Sequence, residues 1–142
     1  MPVAMVDSNV LLADRLSRDQ YHERGVAIVE GIDTSTLPDG RVTEMLLAEV
    51  LNPIQKLAGH DRAVETLALL ESTPGVQLDE TVKADATRGR ELFSRYTAPE
   101  YTDAVTAAYM ERQGIEYVYS FDDDFDVFDH VTRLNSATDP FA

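Results

Sequence analysis

The stretch Pro2-Val3-Ala4-Met5-Val6-Asp7-Ser8-Asn9-Val10-Leu11-Leu12 decides the fold. A short apolar run stops at an acid, two small polar residues follow, and a second apolar run begins. Continuous apolar runs bounded by polar residues suit a strand buried on both faces, as in a parallel sheet. Ser8 or Asn9 then caps a following helix. Asp7 stands at the carboxyl end of a central strand, where open α/β sheets bind their ligands.

Working outward, residues 10–16 read as that helix, and Asp19 or Ser17 caps another running to about Ile32, striped by Val26, Ile28, Val29 and Ile32. A turn-rich connector leads to a short strand at Arg41 and Val42. Thr43 caps a helix over residues 44–57, with Pro53 placed to kink it. Helix resumes over 62–70, and a strand follows at 76–78. Residues 80–96 are helical but poor in large apolar side chains. Thr97-Ala98-Pro99-Glu100 has the spacing of a capping box for a helix that ends near Gly114. Residues 115–121 are strand-like, then comes the acidic run Asp122-Asp123-Asp124-Phe125-Asp126-Val127-Phe128-Asp129, and 131–134 form a last strand. Strands alternating with helices predict βαβ units, a mainly parallel sheet and a single α/β domain over residues 1–142.

The chain has no cysteine, which removes disulfides and thiolate metal sites. His22, His60 and His130 lack ligand-like spacing, so zinc is not expected. No run approaches the ~20 apolar residues of a membrane span, and no charged leader precedes an apolar segment, so a cytoplasmic protein is expected. Twenty-six acids against twelve bases give a net charge of −14, and Lys56 and Lys83 are the only lysines. Such self-repulsion favours solubility over compactness and reads as adaptation to a salty, halophilic interior. It also lacks the basic footprint usual for nucleic-acid binding, although a metal cluster brings in phosphate locally.

Three further acids sit in apolar settings like that of Asp7. Glu49 lies in Met45-Leu46-Leu47-Ala48-Glu49-Val50-Leu51, one helical turn from Met45, at the edge of the apolar face. Its plain reading is a boundary carboxylate paired with an arginine. Asp103 shares a face with Ala107 on a small-residue helix; an acid there is costly unless paired or bound to a cation. Its plain reading is an acid in a first turn, stabilised by the helix dipole. Asp122 follows a strand, as Asp7 does, and adjacent strands ending in acids set up a repulsion that a cation relieves. Asp123, Asp124, Asp126 and Asp129 read as a solvated loop, and Glu44 as an exposed acid at a helix start. An EF-hand starting at Asp122 fails, because Val127 and Arg133 take the glycine and terminal glutamate positions. Four carboxylates without cysteine or a histidine cluster suit a hard cation such as magnesium or manganese.

In order along the chain, Val6-Asp7-Ser8-Asn9-Val10-Leu11, Ala48-Glu49-Val50-Leu51, Thr102-Asp103-Ala104-Val105 and Ser120-Phe121-Asp122-Asp123-Asp124-Phe125 resemble the successive motifs of PIN domains, and the chain's size resembles the VapC-type toxin branch. The resemblance implies a three-layer α/β/α sandwich around a central mainly parallel sheet. It implies a Mg2+- or Mn2+-dependent endoribonuclease that hydrolyses RNA phosphodiester bonds by a metal-activated water. Asp7, Glu49, Asp103 and Asp122 are then the catalytic, metal-binding acids, with Asn9 and Ser120 in support. A cognate antitoxin partner and a homodimer follow from the same resemblance.

Two other readings stand beside it. One is a non-catalytic PIN-like binding module whose acidic face meets a basic protein partner. The other is a phosphoryl-transfer enzyme with an aspartyl nucleophile, and Asp7-Ser8-Asn9 counts against it because no second acid lies two residues on. Arg15, Arg18, Arg88, Arg90 and Arg95 read mainly as solvated helix arginines rather than phosphate contacts.

Overall fold

The computed structural model describes residues 2–142. Strand β1 (Val3–Val6) leads into helices α1 (Ser8–Arg15) and α2 (His22–Asp33). Next come β2 (Asp39–Thr43), α3 (Glu44–Ala58), α4 (His60–Ser72) and β3 (Val76–Asp79). Helices α5 (Lys83–Arg95) and α6 (Tyr101–Gln113) precede β4 (Tyr117–Tyr119), a 3-10 helix (Asp123–Val127) and β5 (Thr132–Leu134). The five strands form one sheet in the order β3-β2-β1-β4-β5, and every pairing is parallel. A mainly parallel sheet was the expectation; the described residues contain no antiparallel pair.

Ala4, Met5 and Val6 are fully buried, so β1 is covered on both faces at the centre of the sheet. From β1 the chain steps outward through β2 to β3, then returns across to β4 and β5. Right-handed crossovers set α1 to α4 on one face and α5 and α6 on the other. The reversal makes the β1–β4 seam the topological switch point, whose carboxyl edge is the ligand crevice of such sheets.

Several local expectations are corrected. Neither Ser8 nor Asn9 caps the first helix: Asp7 does, accepting from the Ser8 amide at 2.8 Å, so α1 starts two residues early. No side chain caps α2; Asp19 instead accepts from the Tyr21 amide in the preceding turn, at 2.8 Å. Thr43 does cap α3 and accepts from the Leu46 amide. That helix runs through Pro53, whose missing N–H would have met the Glu49 carbonyl. The capping box is shifted one turn: Glu100 is the cap of α6, and Asp103, not Glu100, reaches back to the cap amide at 3.1 Å. Helix α5 begins at Lys83 rather than at residue 80, and β4 covers only Tyr117–Tyr119.

Helices α5 and α6 pack very closely. Gly89 faces Val105, and a Cβ built on it would lie 2.6 Å from Val105 Cγ2 and 2.9 Å from its Cα. Ala104, Ala107 and Ala108 continue the small surface of α6 and are buried. Beside this seam the buried Asp85 accepts both Nε and Nη2 of Arg112, at 2.8 and 2.9 Å. Tyr109 donates to Asp79 at 2.6 Å and accepts from Arg41 at 3.0 Å, tying α6 to β2 and β3. The helix that carries Asp103 is therefore held from both sides.

Candidate metal centre

Four segments bring acids to the carboxyl edge of the β1–β4 seam. The Asp7 amide still bonds the Tyr119 carbonyl at 3.0 Å, so its side chain leaves the sheet where β1 and β4 end together. It is only 3 % exposed, and Ser120 Oγ donates to its Oδ2 at 2.7 Å. Ser120 also accepts from Asn9 Nδ2 at 3.2 Å and from the Asp122 amide at 3.0 Å. Asn9 Oδ1 accepts from the Phe121 amide at 3.2 Å, fixing the loop after β4 to α1.

Glu49 reaches the edge from α3, half-buried. Ser8 Oγ donates to its Oε1 at 3.0 Å and Thr102 Oγ1 to its Oε2 at 2.9 Å, so hydroxyls from both helical layers hold it. Among the described residues it has no arginine partner, against its plain reading. Asp103 sits in the first turn of α6, as its dipole reading requires, but it is only 6 % exposed. Asp103, Asp122 and Asp124 each offer a carboxylate oxygen within 4.8 Å of the other two.

The electrostatics follow from this crowding. Burial pushes the Asp103 carboxyl up to about 8, and the charges of Asp7, Asp122 and Glu49 add to the rise against one backbone hydrogen bond. Burial also raises Asp7, to about 6, although the Ser120 and Ser8 donors pull it down. Asp7 is the more buried acid yet rises less, because two donors stabilise its anion. Asp124 is raised by desolvation and by the neighbouring Asp122 and Asp123. Burial and mutual repulsion thus disfavour the anions of Asp7 and Asp103, and a cation among them would offset both.

Asp124 corrects the reading of the acidic run as wholly solvated. Its amide donates to Asp122 Oδ1 at 2.9 Å at the head of the 3-10 helix, which turns residues 122 and 124 to the same side. Asp123 between them is exposed, as is Glu44. Burial of Phe125 between exposed Asp126 and the turn was the available signal: an apolar anchor inside an acidic run orders the acids before it. Two of the arginines are also accounted for, Arg15 by Glu65 at 3.0 Å and Arg88 by Glu91 and Glu111 at 2.9 and 3.0 Å.

An all-parallel α/β/α sandwich with carboxylates gathered at its switch point is the architecture of PIN domains. Residues 4–131 match the PIN domain family, and the chain belongs to it. Among solved structures, VapC20 of Mycobacterium tuberculosis, a sarcin-ricin loop cleaving toxin, is 24 % identical with a TM-score of 0.73, over 88 % of this chain and 93 % of that one. VapBC2 of Rickettsia felis, bound to a DNA fragment from its promoter, is 11 % identical with a TM-score of 0.73, covering 94 % and 98 %. FitAcB of Neisseria gonorrhoeae is 19 % identical with a TM-score of 0.66, covering 94 % and 96 %. These likenesses establish a shared fold. No curated protein gives a significant match to the chain.

Proposed function

We propose that the chain is a divalent-metal-dependent endoribonuclease, the toxin of a VapBC-type pair, with Asp7, Glu49, Asp103, Asp122 and Asp124 holding the metal. The observation that carries this reading is geometric: Asp103, Asp122 and Asp124 each offer a carboxylate oxygen within 4.8 Å of the other two, and the buried Asp7 and the half-buried Glu49 stand beside them. An all-carboxylate donor set without cysteine or histidine fits magnesium or manganese. When bound, such an ion supplies Lewis-acid polarisation of a phosphodiester and of the attacking water.

The chain's own residues have separable tasks. Ser120 orients Asp7 and is itself oriented by Asn9, so both are positioning residues. Ser8 and Thr102 hold the two oxygens of Glu49, which locks α1, α3 and α6 around one point. Asp103 and Asp7 must each release a proton before ligating, so metal uptake discharges protons near neutral pH. An antitoxin partner and a homodimer belong to the same proposal; a solved toxin–antitoxin complex from Klebsiella pneumoniae that shares the fold supports the antitoxin. That no described helix is long and apolar enough to cross a membrane accords with a cytoplasmic enzyme.

A second reading is favoured by the net charge of −14: a non-catalytic module whose acidic face takes a basic partner. Cleavage of a mixed-sequence RNA by the wild-type chain in manganese, abolished by chelator and by Asp103→Asn, separates the two. A wild type that binds manganese yet leaves RNA intact favours the module.

A further inference from the structure

The end of α5 and the start of α6, which flank one short loop, carry two aromatic rings near the acidic centre. Tyr101 is the first residue of α6 and precedes Thr102, the donor to Glu49. Phe93, near the end of α5, meets it edge to face with ring centroids 5.9 Å apart. Phe93 is 48 % exposed, on a helix that otherwise turns its apolar residue Leu92 into the core. A second pair, Tyr21 and Phe121, is stacked at 4.6 Å. Its rings are half-buried and largely cover one another, which is ordinary packing. Phe93 has no such cover.

We propose that the Phe93–Tyr101 pair is a stacking platform for an unpaired nucleobase of the RNA cut at the neighbouring acidic centre. This rests on the nuclease reading and deepens it by assigning a contact for one base held out of a duplex. Charge supplies the first argument. Among the described residues Arg15, Arg62, Arg88, Arg112 and Arg133 are engaged in ion pairs, and the chain carries −14 overall. Phosphate attraction by basic side chains, the usual source of RNA affinity, is therefore weak here.

Beside the phosphate contact that a bound cation would supply, stacking is the affinity term open to such a surface. Every base has a π-face, stacking tolerates sequence, and a base can reach a ring only when it is out of a duplex. Position supplies the second argument. Tyr101 directly precedes Thr102, the donor to Glu49, and its edge-to-face contact steadies the Phe93 ring while leaving that residue 48 % exposed. Arg90, one turn before Phe93 on α5, donates to Thr87 Oγ1 at 3.2 Å, is in no ion pair among the described residues, and can meet the adjoining phosphate.

The test uses a short single-stranded oligoribonucleotide carrying 2-aminopurine, and its duplex, with the full chain in manganese. Wild type quenches the single strand and not the duplex. Phe93→Ala binds it about tenfold more weakly with the quench lost, and Phe93→Trp restores both. Phe93→Ala that binds and quenches like wild type overturns the platform. So does a Phe93→Ala chain that changes mass by light scattering while RNA affinity stays the same, which makes the patch a contact between copies. A wild type that cleaves RNA while Phe93→Ala is indifferent removes the platform alone. A wild type that quenches without cleaving keeps the platform and removes the nuclease.

Discussion

Asp103 and Asp7 are ionisable groups held at odds with their ordinary chemistry, and that has a sign. Each carboxyl would ordinarily titrate near 3.8 and is raised by burial, to about 8 for Asp103 and about 6 for Asp7. Below about pH 4 folded and unfolded chains both carry these protons. As pH rises past 4 the unfolded chain releases them and the folded chain does not, so metal-free stability falls with pH. The decline from Asp7 ends near pH 6 and that from Asp103 near pH 8. Thermal melts in chelator between pH 5 and 8 should therefore slope downward in wild type and less steeply in Asp103→Asn. Manganese affinity should move the opposite way, strengthening up to about pH 8, because ligation requires the deprotonated form. A chelated wild type whose melting temperature rises across this window contradicts the assignment. At this scale the sequence was informative where an acid interrupts an apolar run, as at Asp7, Glu49 and Asp103. For Asp124 its one signal was the apolar Phe125 that follows, since residues 122–124 look alike until the 3-10 helix turns two of them to the same side.

At the scale of elements, the order of helices and strands was legible because each strand is a short apolar run closed by polar punctuation. Their ends were less so. Cap choice depends on which carboxylate the tertiary structure frees: Asp7 displaces Ser8 as the cap because β1 hands it to the α1 amides, and Asp103 displaces Glu100 as the reaching acid of the box. The approach of α5 to α6 was visible only as small residues. Gly89→Ala tests it. The added Cβ meets the Val105 backbone at 2.9 Å and 3.1 Å, which cannot move without moving α6. Overpacking costs about 1–3 kcal/mol, against a helix-propensity gain of about 1 kcal/mol. The melting temperature should fall, and manganese affinity with it, since Asp103 rides on α6. A Gly89→Ala protein as stable as wild type, with intact metal binding, would show that the helices are not held in this close register.

For the whole molecule, the parallel sheet gathers acids that lie far apart in sequence, and the reversal between β1 and β4 decides where. Sequence order alone could not supply that convergence; it came with the family resemblance, and residues 4–131 match that family. The surplus of acids over bases makes the fold sensitive to salt. In molar potassium chloride the Debye length shrinks to ~3 Å, so wild type should melt at a higher temperature than in 0.1 M salt, by roughly the same amount in Asp123→Asn. Equal melting temperatures would remove the argument for halophilic adaptation. Above all, the gathered acids are proposed as a cation site. Calorimetric titration of manganese into wild type, Asp103→Asn and Asp123→Asn tests it most directly. The account predicts a saturable site in wild type, weakened about tenfold or more by Asp103→Asn because an anionic ligand is lost, and unchanged by Asp123→Asn, whose side chain is exposed. An Asp103→Asn protein that binds manganese as tightly as wild type would contradict it.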